Sequence, residues 1–293
     1  IRRAVLMKKL KKGLEHTCTF IHSGAGYGKT TILAQFLHAE SSPFSWYSVS
    51  EEDDNILPFL KHLLYSIQRV IPHFGVQFDN WQQVSRFPKI EELNRWYKIF
   101  VNSLCEIEHS FLLVIDDYHL VDHEFHINYV MEKIIEFSPP HIHFMIASRT
   151  LPKWDIIRKL KMQMKAHFIT ETDLAFSAEE IAVFFEDYVA THLSQDEILK
   201  VLDITEGWAI SITLLAEQWN YEALDHWLTI HSNDLFTYLS EEVFFKMPKF
   251  EQKTLLQLAI FPTFSEALIA QFYQSETAET FKQLLQKHIF IQP

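Results

Sequence analysis

The sequence predicts an α/β first half, a parallel sheet flanked by helices, followed by a helical second half. Three observations carry this. Two continuous apolar runs, 111–115 and 142–147, lack the alternation of a half-wet sheet and suit strands buried on both faces. Strand-like and helix-like stretches alternate through the first half, as right-handed strand–helix–strand crossovers require. Beyond about residue 175 strand signals nearly stop. There Ser177 with Glu180, and Ser194 with Glu197, stand at capping-box spacing, each side chain satisfying the other residue's free backbone donor at a helix start.

In order, an apolar strand at 18–21 leads into a small-residue turn at 23–28. Helical periodicity follows over 30–38, carried by Ile32, Leu33, Phe36 and Leu37. A second strand spans 44–49, and the acidic turn 51–54 leads to a helix near 59–70. A loop rich in Pro, Gly, Asn and Gln (72–88) precedes a helix at 90–107, and then come the two buried runs. In the second half, helices are expected near 178–190, 195–204, 208–219, 221–230, 233–246 and 250–259, before an apolar, strand-like run from residue 289. The expected domain boundaries fall at 1–174, 175–232 and 233–293.

Composition excludes several functions. The chain has 293 residues, 48% hydrophobic, more than one core usually holds. Its apolar runs are far shorter than the roughly 20 residues that cross a bilayer, so no membrane role is expected. Against 26 Lys and Arg stand 38 Asp and Glu, a formal charge of −12. Nucleic-acid binding needs a cationic surface, so this segment is not expected to touch DNA or RNA itself. Cys18 and Cys105, far apart in apolar surroundings, read as two buried, reduced thiols of a cytoplasmic protein. The chain begins with Ile and ends on an apolar run, and it reads as a piece of a longer protein cut within a domain.

The chemistry concentrates between the first strand and its helix. Ser23-Gly24-Ala25-Gly26-Tyr27-Gly28-Lys29-Thr30 departs from the P-loop pattern G-x-x-x-x-G-K-[ST] only in having Ser23 for the first glycine. Small residues let successive backbone N–H groups curl around phosphates, and the following helix turns its positive end to the same anion. Lys29 is placed to reach β- and γ-phosphates, and the Thr30 hydroxyl to ligate Mg²⁺. The run 111–115 ends in Asp116-Asp117, a Walker B strand. Asp116 is expected to hold Mg²⁺, and Asp117 to orient the attacking water. Because Asp reaches less far than Glu, hydrolysis is expected to be slow. Arg149, at the end of the run 142–147, is placed to sense the γ-phosphate. His119, His123 and His126 have spacings that would put them on one helix face, but with 16 histidines in the chain and no Cys beside them a metal site is not expected.

Gly24-Ala25-Gly26-Tyr27-Gly28-Lys29-Thr30-Thr31 and Val114-Ile115-Asp116-Asp117-Tyr118-His119-Leu120 resemble the signal-transduction ATPases of the STAND class, and among them the large ATP-dependent LuxR-type transcriptional regulators. The resemblance continues through Trp46-Tyr47-Ser48-Val49, residues 140–149, Asp173-Leu174-Ala175-Phe176-Ser177 and Glu206-Gly207-Trp208-Ala209, and so covers nearly the whole chain. It implies a P-loop NTPase domain over 1–174, a helical lid over 175–232 and the start of a winged-helix domain over 233–293. It implies bound ATP or ADP with Mg²⁺ and slow hydrolysis. The phosphate loop 24–31 would hold the nucleotide, Arg3 with Leu6 and Leu10 would pack near the adenine, and Gly207 would help close over it. Ala4 and Ala209 stand where the family more often has Pro. ADP between the α/β and helical domains would keep the module closed, and ATP would favour a self-associating form. The sensor and the DNA-binding effector would lie elsewhere in the full-length protein. For its side chain, Trp208 reads as a core aromatic with Ile212 and Leu215. Tyr27 either packs on the nucleotide or covers the helix start. Two other functions fit the residues: a turnover ATPase like the AAA+ machines, and a scaffold with nucleotide as structural glue.

Overall fold

The computed structural model describes residues 3–40, 42–78, 88–217, 219, 244, 245, 247–259, 280 and 281. The chain divides into two compact units. One comprises Arg2–Ser23 and Gly28–Leu174, the other Ala175–Pro293 with Ile1 and Gly24–Tyr27.

The first unit is built on a five-stranded, all-parallel sheet of β1 (Cys18–His22), β2 (Phe44–Ser48), β3 (Phe111–Asp116), β4 (Ile142–Ser148) and β5 (Ala166–Ile169), in the order β2-β3-β4-β1-β5. Burial explains the apolar runs. All six residues of β3 are buried, and so are all of β4 but His143, because helices cover both faces. Edge strand β2 alternates instead. On one face Phe20, Leu113, Ile115, Phe144 and Ile146 join a core with α3 (Ile56–Gln68), α4 (Ile90–Cys105) and α5 (Phe125–Phe137). On the opposite face Ile21, Val114 and Met145 are equally buried. Helix α1 (Ala4–Gly13) packs against β1, β5 and α2 (Lys29–Ala39).

The alternation read from the sequence is present, and α1, α5 and two further elements that it did not anticipate extend it. The two are α6 (Ile156–Met162) and β5, the latter four residues long and only partly buried on three of them, too short to show a period. The acidic turn forms a 3-10 turn at Glu51–Asp53. There buried Asp53 accepts from Ser50 N–H and Oγ at 2.8 and 3.0 Å and meets His62 Nδ1 at 2.5 Å.

One cysteine reading is corrected. Cys18 is buried, but Cys105 is exposed, because the last turn of α4 turns Leu104 inward and its neighbour out. The histidine spacing is corrected too. His119 lies in a 3-10 turn (Tyr118–Leu120), His123 follows that turn, and only His126 is in α5, so they share no helix face. Among the described residues no group of three or more His, Cys, Asp or Glu could hold a metal ion.

The second unit contains α8 (Ala178–Val189), α9 (Gln195–Thr205) and α10 (Ala209–Glu217) around Ile181, Phe185, Leu193, Ile198, Val201, Ile212 and Leu215. Both capping boxes form as read, on Ser177 with Glu180 and Ser194 with Glu197. A further helix spans Lys249–Leu258. The helices expected at 221–230 and over most of 233–246, the strand-like run from 289 and most of the expected third domain lie outside the described residues.

Candidate functional site

In the first unit, three strand ends deliver the charged residues to one edge. In parallel sheets the carboxyl edge is where ligands bind, and here Lys29, Asp116, Asp117 and Arg149 stand at that edge. The chain leaves β1 at Ser23, β3 ends in Asp116, and β4 is followed by Arg149. Buried Lys29, the first residue of α2, reaches back with Nζ 2.9 Å from Ser23 O and 3.5 Å from Ser23 Oγ. Burial, and then the charge of Arg149, lower its pKa to about 8 against the pull of Asp117, Asp116 and Glu171. Asp116 is 1% exposed, and its carboxylate accepts a hydrogen bond from the Thr30 side chain and, at Oδ1, from Asp117 N–H at 3.0 Å. Burial raises its pKa, the Thr30 bond opposes that, and the charge of Asp117 adds to it.

Asp117 departs from the strand at φ 57°, ψ 33°, a left-handed conformation that Asp tolerates better than most residues. The reversal separates the two acids, leaving Asp116 buried while the Asp117 side chain is 45% exposed. Thr31 is exposed on α2. Arg3 is buried with Nη1 donating to Leu174 O at 2.6 Å, which ties the start of α1 to the end of α7 (Glu171–Leu174), as does the ion pair of Lys9 with Asp173.

Two residues not assigned to the site from sequence belong to this group. His119 Nδ1 lies 3.9 Å from Asp117 Oδ1. Burial, with the charges of Arg149 and Lys29, lowers its pKa to about 3, so its imidazole is neutral at physiological pH. Its place two residues after the acidic pair was the available signal. Glu171 acts on Lys29 through its charge, and nothing in the local pattern points to it.

In the second unit the tip of the loop, Gly24–Tyr27, is held by the start of α10. The Trp208 indole N–H donates to Ala25 O at 2.9 Å, Ile210 N–H donates to Gly26 O at 3.1 Å, and the Tyr27 ring lies 6.3 Å from that of Trp208. A Cβ on Gly26 (φ 76°) would come within 2.7 Å of Ile210 and 2.9 Å of Trp208, so this close approach needs glycine. Gly28, the N-cap of α2, is also left-handed. The reading of Trp208 as a core aromatic is therefore overturned. It precedes α10, stays partly exposed, and spends its N–H on the loop, while Ile212 and Leu215 fill the core without it. Gly207, also at φ 76°, passes against Phe176, whose N–H donates to Gly207 O at 2.8 Å. Trp208→Phe keeps the ring and removes the indole donor. Loss of one such bond is worth about 1 kcal/mol, so amide exchange over residues 24–28 is expected to quicken roughly fivefold, with residues 181–201 unchanged.

The comparisons with known proteins agree with this frame. The chain is 27% identical over 288 residues to the HTH-type transcriptional regulator MalT of Yersinia pestis (strain Pestoides F), covering 96% of this chain and 31% of that protein. It is 28% identical over 272 residues to MalT of Yersinia enterocolitica, covering 91% and 30%. It thus spans about a third of the length of these relatives. No protein-family profile matches the chain. Among solved structures, a Walker-type ATPase of Pyrococcus abyssi superposes with a TM-score of 0.57 at 13% identity, over 96% of this chain and 89% of its own. No helix of the described residues is long and apolar enough to cross a membrane. The chain is MalT-like in sequence and carries the parallel-sheet fold of the P-loop ATPases.

Proposed function

We propose that this chain is the nucleotide-dependent switch segment of a signal-responsive transcriptional regulator, binding ATP or ADP with Mg²⁺ and hydrolysing ATP slowly. The observation that carries the reading is the gathering of Lys29, Thr30, Asp116, Asp117 and Arg149 at one edge of the first unit, with Lys29 buried and acting electrostatically on both acids and Arg149. Residues 1–174 would form the nucleotide-binding domain, 175–232 a helical lid and 233–293 the start of a winged-helix domain. Loop residues 24–31 would cradle the phosphates, and Arg3 and Gly207 would shape the adenine side.

Mg²⁺ takes oxygen ligands, one or two of them carboxylates with the rest from phosphates and water. The Thr30 hydroxyl and the buried Asp116 carboxylate, hydrogen bonded to each other, present such oxygens side by side. The ion would supply charge neutralisation on the phosphates. Asp117, more exposed, would orient the attacking water, and Arg149 would distinguish ATP from ADP. ADP would favour the resting state and ATP a self-associating one, with the sensor and DNA-binding effector elsewhere in the full-length chain. A swing from 1:99 to 99:1 needs about 5.5 kcal/mol of differential affinity.

The test is the nucleotide content of purified, acid-quenched protein, with Lys29→Ala as control. Stoichiometric ADP in the wild type and none in the variant is expected, and an empty wild type would overturn the resting-state reading. A pH dependence follows from Lys29. Its pKa of about 8 lies below the ordinary lysine value, so part of its charge is absent above pH 8 and must be restored by proton uptake when a phosphate arrives. ADP affinity is expected to be flat below about pH 7 and to fall towards roughly tenfold per unit above pH 8. Calorimetry in buffers of different ionisation enthalpy would measure that uptake.

A further inference from the structure

Two segments of the first unit carry the groups assigned to the γ-phosphate side: the one leaving β3, with Asp117, and the one leaving β4, with Arg149. The strands themselves are locked in register up to Ile115 opposite Ile146. Beyond that point the ladder ends, and side chains join the two segments, with Asn128 at their centre. Asn128, in the first turn of α5, accepts at Oδ1 from Tyr118 Oη at 2.7 Å and from Trp154 Nε1 at 2.8 Å, and its Nδ2 donates to Asp122 O at 2.6 Å. Tyr118 directly follows Asp117, and Trp154 lies five residues beyond Arg149. Their rings meet edge to face at 5.1 Å, 0% and 4% exposed. Thr150 Oγ1, beside Arg149, donates to Asp122 Oδ2 at 3.3 Å.

The chemistry of this node is specific. Only a carbonyl oxygen offers two acceptor sites to two buried donors while an amide N–H₂ on the same group serves a main-chain carbonyl. An apolar side chain here would strand the Tyr118 hydroxyl and the Trp154 indole N–H in the core. With the node gone, the strands and Lys29 keep their places, but the two segments lose their two shortest shared bonds and are left to the longer Thr150–Asp122 bond and the ring contact.

We propose that Asn128 is the positioning residue that sets Asp117 and Arg149 relative to each other, and so controls the ATP-specific steps without touching nucleotide. This rests on the switch reading above, so the wild type is measured first. If it binds no adenine nucleotide, that reading falls, and the proposal with it. In the full-length protein, ADP affinity, Mg·ATP affinity and single-turnover hydrolysis would then be compared for wild type and Asn128→Leu. Asn128→Leu is expected to leave ADP affinity within about threefold while slowing hydrolysis at least tenfold, since misplacement near 1 Å can cost about a hundredfold. Wild-type hydrolysis in Asn128→Leu, or an equal loss of ADP and ATP affinity, would each overturn the proposal. Should Asn128→Leu not fold, Tyr118→Phe removes one donor and strands none. It is expected to slow hydrolysis about threefold or more at unchanged ADP affinity, and unchanged hydrolysis would overturn the proposal.

Discussion

Lys29→Ala is expected to abolish nucleotide binding at micromolar concentrations, lowering affinity by at least two orders of magnitude. Lys29 is held buried and charged at neutral pH by Asp116, Asp117 and Glu171 against the opposing effects of burial and Arg149. Hydrogen bonds to a charged group contribute about 1.5–3 kcal/mol each, and a phosphate would take more than one contact from this ammonium. The apo protein should not suffer, because removing a buried cation whose pKa is depressed relieves a desolvation cost. Titration calorimetry with ADP and a denaturant midpoint measured together separate the two effects. Lost affinity with an unchanged or raised midpoint is expected. Retained micromolar affinity would remove the phosphate-site argument entirely.

Gly207→Val is expected to destabilise α8–α10 by about 3 kcal/mol or more. The backbone at Gly207 is left-handed at φ 76°, and an added Cβ would lie 2.6 Å from Phe176 O and 2.8 Å from Phe176 N. A left-handed conformation costs an L-residue roughly 1–2 kcal/mol, and a branched side chain adds to that. The obstacle is main chain, which cannot swing aside, and moving it would break the 2.8 Å bond from Phe176 N–H to Gly207 O. Hydrogen exchange over 178–217 without nucleotide would measure the loss. Native protection in Gly207→Val would mean that this turn tolerates a side chain.

What was legible in the sequence was local or periodic. Runs 111–115 and 142–147 announced buried strands because helices on both faces remove the need for alternation. The loop 23–30 and the acid pair were legible as patterns because each is contiguous, and residues at a strand's carboxyl end lie at the edge where parallel sheets bind ligands. Ser177 with Glu180 and Ser194 with Glu197 announced helix starts because a capping box closes within four residues. Other features depend on partners far along the chain. The order β2-β3-β4-β1-β5 was not readable, nor was the short strand β5. Cys105 looked buried among apolar neighbours, and only the packing of α4 turned it out. Trp208 had the spacing of a core residue, yet its N–H goes to Ala25, 183 positions away. Asn128 carried no motif at all, and it matters because Tyr118 and Trp154 both bring donors to its carbonyl oxygen. The sequence by itself determined the buried strands, most of the helix starts and the contiguous pattern read as a phosphate loop. Only tertiary structure decided which buried donors meet which acceptors, because a polar group inside a protein must find a partner wherever the fold brings one.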